Sequence, residues 1–141
     1  MDARIGLSLL VTVALGVLGA QSQPGVKIIP VIPTSAASGQ QMFDTYCAVC
    51  HGKDGRGDGP AAAALKKAPS DLTLIAARHK GTFPEFDIRH SISGDAVIAA
   101  HGSRDMPIWG DILRSLDPGA ESIAQLRIEN LTSYIKSLQR K

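Results

Sequence analysis

Apolar residues at helical spacing predict a domain built only of helices. A first helix is predicted to begin after Ser38, which can cap its N-terminus, and to end at Cys50 or His51. Further helical segments are predicted at 61–67, from Ser70 or Asp71 through Arg78, and at Phe83–Ser93, with Pro84 near the start of the last. Strand-like alternation of apolar and polar residues is not found in the sequence, so the predicted fold class is all-α.

The longest predicted helix is the last one. Asp117-Pro118 is typical of a capped helix start with proline at the first helical position, and the helix is predicted to run to about Gln139. Its apolar stripe is predicted to consist of Ile123, Leu126, Leu131, Tyr134, Ile135 and Leu138. Residues 96–106 show a mixed pattern that ends in a loop. The glycine-rich stretch 52–60 is also a predicted loop, and it lacks the Gly-Lys-Ser/Thr of a phosphate-binding loop.

The segment before the domain has two parts. Residues 1–20 have the layout of a secretory signal peptide, with Arg4, an apolar run from Ile5 to Leu18 and small residues before Gln21. The alternative is an uncleaved anchor, although a spanning helix needs roughly 20 apolar residues. Residues 21–37 form a Pro-rich linker, either an arm that packs on its own domain or a strap that docks a partner. Residues 38–141 are the domain itself.

The candidate chemistry lies in Cys47-Ala48-Val49-Cys50-His51. This Cys-x-x-Cys-His run is the attachment signature of c-type haem. On one helical turn its two thiols and its imidazole share a face, so both thiols can bond one porphyrin while His51 ligates the iron. A structural zinc site would need four Cys and His ligands, and a thioredoxin-type dithiol would need a βαβ pattern. Neither context is visible, and the chain has no third cysteine.

Composition agrees with an exported haem domain. The 141 residues suffice for one domain plus an export segment. The formal net charge is only +2, and the chain has no run of five like charges, which does not support nucleic-acid binding. The aromatic residues are few for a core of this size: Phe43, Tyr46, Phe83, Phe86, Trp109 and Tyr134. A buried macrocycle would supply the missing flat apolar surface.

Met106 is the candidate for the second axial ligand. It precedes Pro107, which favours extended backbone and stiffens the loop that would present the thioether to the metal. Met1 is the initiator, and Met42 lies in the first helix. His101 is the alternative ligand, whereas His79 and His90 are expected to be surface or hydrogen-bonded groups. Trp109 is expected to cover the haem or to pack beneath the Met106 loop.

Taken together, these features resemble the class I c-type cytochromes over nearly all of the range from Ser38 to Leu138. The resemblance implies three to five helices wrapped around one covalent haem c, with His51 and Met106 as metal ligands. It implies that the carbonyl of Pro69 accepts a hydrogen bond from the proximal imidazole. It also implies that Gly39 and Phe43 on the first helix pack against Leu131 and Tyr134 on the last.

The function implied by the resemblance is one-electron transfer and not enzymatic catalysis, because both axial positions of the iron are filled. A haem subunit of a larger dehydrogenase or oxidase complex is the alternative, and a haem catalyst or gas sensor with an open distal side is a third hypothesis. The expected compartment is the bacterial periplasm, with membrane association only if residues 1–20 are retained. The expected partners are redox proteins: a dehydrogenase, an oxidase or a quinol-oxidising complex. Cations that could steer an acidic partner are Lys53, Lys66, Lys67, Lys80 and Arg104.

Overall fold

All regular structure in the described part of the chain is helical. The computed structural model describes residues 31–94 and 106–140, and within these ranges no strand occurs, which confirms the predicted fold class. The α-helices are α1 (Gly39–Met42), α2 (Ala48–His51), α3 (Ile75–Arg78), α4 (Glu85–Ser93), α5 (Trp109–Ser115) and α6 (Glu121–Ser137). In these two ranges no helix is long and apolar enough to cross a bilayer. The predicted export segment 1–20, His101 and Arg104 lie outside the described residues.

The first helical stretch is continuous but changes its winding. The hydroxyl of Ser38 accepts from the amide of Gln41 at 3.1 Å, which confirms the predicted N-cap. Between α1 and α2 the chain forms a π-helical turn over Phe43–Cys47, which the apolar spacing did not predict. Such wide turns are rare and are found mostly at functional sites. Here the turn stands directly before the Cys-x-x-Cys-His run, and α2 ends at His51 as predicted.

The contact between the first and last helices is close, as expected from the resemblance. A Cβ atom on Gly39 would lie 2.0 Å from the carbonyl oxygen of Asn130, so only glycine permits this approach. One turn later the rings of Phe43 and Tyr134 pack with centroids 5.3 Å apart. Leu131 is buried beside them. α6 also packs against α4 and α5, so the last helix is the element on which the domain is assembled.

The short segments between α2 and α4 differ from the predicted ones in length. The segment predicted at 61–67 is a single 3-10 turn, Ala62–Ala64, which ends because Leu65 is extended. Asp71 is the N-cap of the next stretch, where its carboxylate accepts from the amide of Thr73 at 2.9 Å. That stretch consists of the 3-10 turn Leu72–Leu74 followed by α3. α4 begins at Glu85, directly after Pro84, and ends at Ser93 as predicted.

The prediction for the start of the last helix was wrong. α6 begins at Glu121, and Asp117-Pro118 lies in the turn before it. Gly119 has a φ of +82°, which a right-handed helix cannot accommodate, so a helix cannot run through this position. The carboxylate of Asp117 does not cap the helix but accepts from the guanidinium of Arg127 at 2.8 Å. A separate helix, α5, occupies residues that the sequence analysis had left unassigned.

The predicted apolar stripe of α6 is only partly buried: Leu131 and Ile135 lie in the core and Tyr134 and Leu138 pack against it, whereas Leu126 does not. Leu126 is 44% exposed, whereas its neighbour Arg127 is only 5% exposed. Leu126 lies five positions before Leu131, which puts the two side chains on different faces of a helix with 3.6 residues per turn. The buried positions of α6 are Ala124, Arg127, Ile128, Leu131, Thr132 and Ile135.

Arg127 fastens the segment that precedes α1. Its guanidinium donates to the carbonyl of Thr34 at 2.9 Å as well as to Asp117, so this buried charge is paired and hydrogen-bonded. The side-chain amide of Asn130 donates to the carbonyl of Ala36 at 2.9 Å. Residues 31–37, the described part of the predicted linker, are therefore held along α6.

Candidate cofactor site

One apolar cavity brings together four of the predicted site residues, Cys47, His51, Met106 and Trp109, whereas Cys50 and Pro69 do not line it. It encloses about 450 Å³ of atom-free space, part of it open to solvent. Its walls come from the end of the first helical stretch, from α3 and α4, from the chain before α5 and from α6. We call this space the cofactor cavity; its lining residues are Cys47, His51, Leu72, Ile75, Ile88, Ser91, Ile92, Met106, Trp109, Leu131 and Ile135.

The His51 imidazole is fixed by a backbone carbonyl. Its Nδ1 lies 3.1 Å from the carbonyl oxygen of Ser70, and since a carbonyl can only accept, Nδ1 carries the proton. The other ring nitrogen, Nε2, then keeps its lone pair, as a metal ligand requires. Burial lowers the pKa of His51, and the hydrogen bond to Ser70 opposes this effect. Both the tautomer and the neutral state suit a nitrogen ligand.

The acceptor differs from the one that the resemblance implied. The carbonyl expected to accept from His51 was that of Pro69, but the structure places this bond one residue later, on Ser70. The Pro69 carbonyl faces the glycine-rich loop instead, where it would lie 2.4 Å from a Cβ atom at position 57. Pro69 thus lies next to the site, and its neighbour Ser70 accepts the hydrogen bond from His51.

The two thiols differ in their surroundings. Cys47 is 9% exposed, whereas Cys50 is partly exposed, and both are free cysteines. Burial, with a smaller effect from Cys50, raises the pKa of the Cys47 thiol to about 12. A thioredoxin-type dithiol needs a thiol whose pKa is lowered, so this environment does not suit that alternative.

The glycine-rich loop has a structural role that its sequence did not reveal. After α2 its backbone amides return to the carbonyls at the end of that helix: Gly57 donates to His51 at 2.8 Å, and Gly59 donates to Cys50 at 3.0 Å. These carbonyls would otherwise lack partners, as at any helix C-terminus. The loop therefore holds the turn that carries Cys50 and His51.

Met106 and Trp109 both line the cofactor cavity. Met106 is 38% exposed, so it lies at the edge of the cavity and not in its depth. Trp109 stacks on Tyr46, with ring centroids 5.6 Å apart and an angle of 29° between the planes. The hydroxyl of Tyr46 donates to the carbonyl of Ile32 at 2.6 Å. This role of Tyr46 was not predicted, because the sequence shows only that an aromatic residue stands directly before Cys47.

Zinc is not supported by the side chains in the two described ranges. No group of three or more His, Cys, Asp or Glu residues is close enough there to hold a metal ion. His79 is exposed, and the ring of His90 packs on Phe86 with centroids 4.1 Å apart; neither lines the cofactor cavity. Lys53, Lys66, Lys67 and Lys80 are all exposed.

The cofactor cavity fits a haem by the chemistry of its walls. Most of the lining is aliphatic or aromatic, as the faces of a porphyrin require, while a thiol, an imidazole and a thioether border the same space. Every buried side-chain nitrogen or oxygen in residues 31–94 and 106–140 has a hydrogen-bond partner. No fully buried side-chain polar atom of the described residues therefore calls for a small polar ligand.

Comparison with known proteins agrees with this chemistry. A family model described as cytochrome c matches residues 36–115, more than half of the chain. The cytochrome c-554(547) of Halothiobacillus neapolitanus is 28% identical over 107 residues, which cover 74% of this chain and 97% of the relative. No solved structure is significantly similar. The matched range, the Cys-x-x-Cys-His run and the all-helical fold show that the chain belongs to the cytochrome c family, with covalent haem c as its cofactor and electron transfer as its activity.

Proposed function

We propose that this protein is an exported monohaem electron carrier in which His51 and Met106 are the axial ligands of a haem c bonded to Cys47 and Cys50. The observation that carries the proposal is the cofactor cavity, where the Cys47 thiol, the His51 imidazole and the Met106 thioether border one apolar space. When bound, haem c supplies a one-electron couple between ferric and ferrous iron.

The residues of the chain decide how that couple is used. The hydrogen bond from Nδ1 of His51 to Ser70 orients the imidazole and makes Nε2 a stronger donor to the metal. A thioether as the second ligand raises the reduction potential. With both axial positions taken, a substrate can reach the iron only by displacing a ligand, which favours electron transfer over catalysis.

The buried walls of the cofactor cavity would limit the access of water to a bound haem. Leu131 and Ile135 of α6 and Ile92 of α4 are buried against it. Trp109 is supported from behind by Tyr46, so that the aromatic wall is held in place by a stacked partner. A rigid apolar shell of this kind keeps the structural change between the two oxidation states small, which is what a fast one-electron carrier needs.

The proposed partners are redox proteins that meet the carrier briefly. Val49, between the two cysteines, is 48% exposed, and Met106 is also exposed at the cavity edge. These apolar side chains mark the face through which an electron could leave, and the exposed lysines could steer an acidic partner toward it. Encounters of redox proteins typically bury less than about 1,200 Å². The proposed location is the bacterial periplasm.

We propose a diffusing carrier and not a fixed subunit because the described part of the linker is bonded to its own domain. The amide of Ser35 donates to the side chain of Gln41 at 2.9 Å, and Arg127 and Asn130 hold Thr34 and Ala36. Copurification with a dehydrogenase or an oxidase after a high-salt wash would instead favour the subunit.

The test is expression of the full chain with a haem-maturation system in an export-competent host. We expect haem to remain on the polypeptide in a denaturing gel, and the spectra of the oxidised and reduced protein to be those of a low-spin haem with two axial ligands. The double variant Cys47→Ala/Cys50→Ala should show no haem on that gel, and His51→Ala should largely prevent attachment of haem. A colourless wild-type polypeptide after denaturation, with both thiols open to alkylation, would contradict the proposal.

A further inference from the structure

Gln139 and Arg140, just beyond the C-cap residue of the last helix, are bonded to the chain that runs beside the proximal histidine. The side-chain oxygen of Gln139 accepts from the amide of Ala76 at 2.8 Å, and its nitrogen donates to the carbonyl of Leu72 at 2.8 Å. α3 begins at Ile75, so the amide of Ala76 lies in its first turn and has no acceptor within the helix. Gln139 thus caps a helix that is 63 residues away in sequence.

Arg140 adds three bonds to the same segment. Its amide donates to the carbonyl of Thr73 at 2.9 Å, its Nε donates to the hydroxyl of Thr73 at 2.8 Å, and its terminal nitrogen meets the carboxylate of Asp71 at 2.9 Å. The pKa of Asp71 is lowered, first by the hydrogen bond from Thr73 and to a smaller extent by Arg140 and Arg78. We call Gln139 and Arg140 the C-terminal clasp.

The segment that the clasp holds is a wall of the site. Leu72 and Ile75 line the cofactor cavity. The residue before Asp71 is Ser70, whose carbonyl accepts from Nδ1 of His51. The amide of Leu72 also donates to the carbonyl of Gly55 at 2.7 Å, so the segment is pinned between the C-terminal clasp and the loop that follows His51.

We propose that Gln139 and Arg140 are positioning residues for His51: by fixing residues 71–76 they hold the Ser70 carbonyl against the imidazole and so tune the iron. This inference depends on the proposed role of His51 as a ligand. A carbonyl that accepts from Nδ1 makes the imidazole a better donor, which stabilises ferric iron. A loosened clasp weakens that bond and should therefore favour the ferrous state.

The test compares Gln139→Ala and Arg140→Lys in the full haem-loaded chain. Arg140→Lys keeps the charge but cannot reproduce the bonds of the guanidinium to Thr73 and Asp71, so it separates geometry from electrostatics. We expect the ferrous-to-ferric ratio at a fixed ambient potential to rise by up to roughly tenfold, which for a one-electron couple is about 59 mV. The Nδ1 proton of His51 and the amide of Ala76 should exchange faster with solvent, while amides in the middle of α6 should not change.

Two matched controls remove a similar side chain elsewhere. Gln125→Ala deletes a glutamine whose amide donates to Glu121 on the exposed face of α6, and Arg89→Lys changes an arginine paired with Glu129. Neither should change the redox ratio or the exchange of the Nδ1 proton. Arg140→Lys also covers the case in which Gln139→Ala fails to fold.

The outcomes separate this inference from the proposed function. A wild-type protein whose haem lacks a histidine ligand would overturn both. A second outcome is that the wild type has that ligand and both variants exchange the Ala76 amide faster. If the reduction potential and the exchange rate of the Nδ1 proton are then those of the wild type, only the positioning role is refuted. The positioning role is also refuted if neither variant changes the amide exchange, the Nδ1 proton exchange or the reduction potential.

Discussion

Single side chains at the cofactor cavity are set by their immediate partners. His51 is one case, because the carbonyl of Ser70 fixes which ring nitrogen holds the proton. The two internal methionines are another. Met42 is fully buried in the core, where its sulfur lies 3.9 Å from Arg127, whereas Met106 borders the cavity. The same residue type is thus core filler at one position and a candidate ligand at the other.

Met106→Ala should leave the haem covalently attached but open one side of the iron. Since a thioether raises the reduction potential, its loss should lower that potential, and carbon monoxide should bind quickly to the reduced protein. The measurements are a potentiometric titration and visible and near-infrared spectra.

Met42→Leu is the matched control, because a swap that conserves volume in a core usually costs less than about 1.5 kcal/mol of stability and should not change the spectra. If the spectra of Met106→Ala match those of the wild type, Met106 is not the ligand.

Among the contacts between helices in the described structure, that of α1 with α6 is the closest approach that depends on glycine. A methyl group at position 39 would meet the carbonyl of Asn130 at 2.0 Å and Cβ of Tyr134 at 2.9 Å. Backbone atoms of a packed helix cannot move aside as a flexible side chain could. The two helices would have to separate, and with them the packing of Phe43 on Tyr134.

Gly39→Ala should therefore destabilise the protein although alanine is the better helix former. The helical preference for alanine is worth about 0.8–1 kcal/mol, whereas overpacking in a tight contact costs typically about 1–3 kcal/mol. We expect a net loss of roughly 1–2 kcal/mol in the free energy of unfolding, measured by denaturant titration of the haem-loaded chain.

Gln40→Ala tests the same helix at an exposed position and should leave the free energy of unfolding nearly unchanged. A Gly39→Ala protein as stable as the wild type would mean that moving α1 and α6 apart costs no more than the helical preference for alanine gains.

Some elements were predictable from the sequence and others were not, for physical reasons. The Ser38 cap, the end of the first helix at His51 and the segment capped by Asp71 follow from local signals. The π-helical turn does not, because it leaves the apolar spacing almost unchanged. Asp117 carries the signature of a helix cap, but its carboxylate is bound to Arg127, a tertiary contact that no local pattern encodes.

The candidate site was predictable in its chemistry but not in its supports. Cys47, His51, Met106 and Trp109 were all identified from motifs, and the structure brings them to one cavity. Their supports come from distant parts of the chain: Tyr46 stacks behind Trp109, and Gln139 reaches the segment beside Ser70. Such partners depend on how the helices pack, so they became visible only in three dimensions.

At the scale of the whole molecule, the described helices enclose a space that the side chains of residues 31–94 and 106–140 do not fill. An unfilled cavity costs about 24 cal/mol per Å³, so the roughly 70 Å³ of this space that compares with a closed cavity would cost about 2 kcal/mol. Small domains are stable by only about 5–15 kcal/mol in total. The bound cofactor is therefore expected to be part of the core.

The haem-free chain should accordingly be far less stable than the loaded one. We expect the exported double variant Cys47→Ala/Cys50→Ala to keep some helical signal in far-ultraviolet circular dichroism but to lose the near-ultraviolet signal of fixed aromatic side chains. The single variant Cys50→Ala, which keeps one thiol for attachment, is the control. Its near-ultraviolet signal should lie between those of the wild type and the double variant. A cooperative thermal transition at the temperature of the wild type would show that the cavity closes without the cofactor.

The burial of Cys47 has a consequence for the order of events during biogenesis. The folded chain leaves this thiol 9% exposed with a pKa of about 12, so almost none of it is thiolate at neutral pH. Its sulfur is more reactive and more accessible before α6 docks on α1. Bond formation to the vinyl carbons is therefore expected to be easier before the domain closes, so a maturation enzyme that acts on an open polypeptide would meet the more reactive thiol.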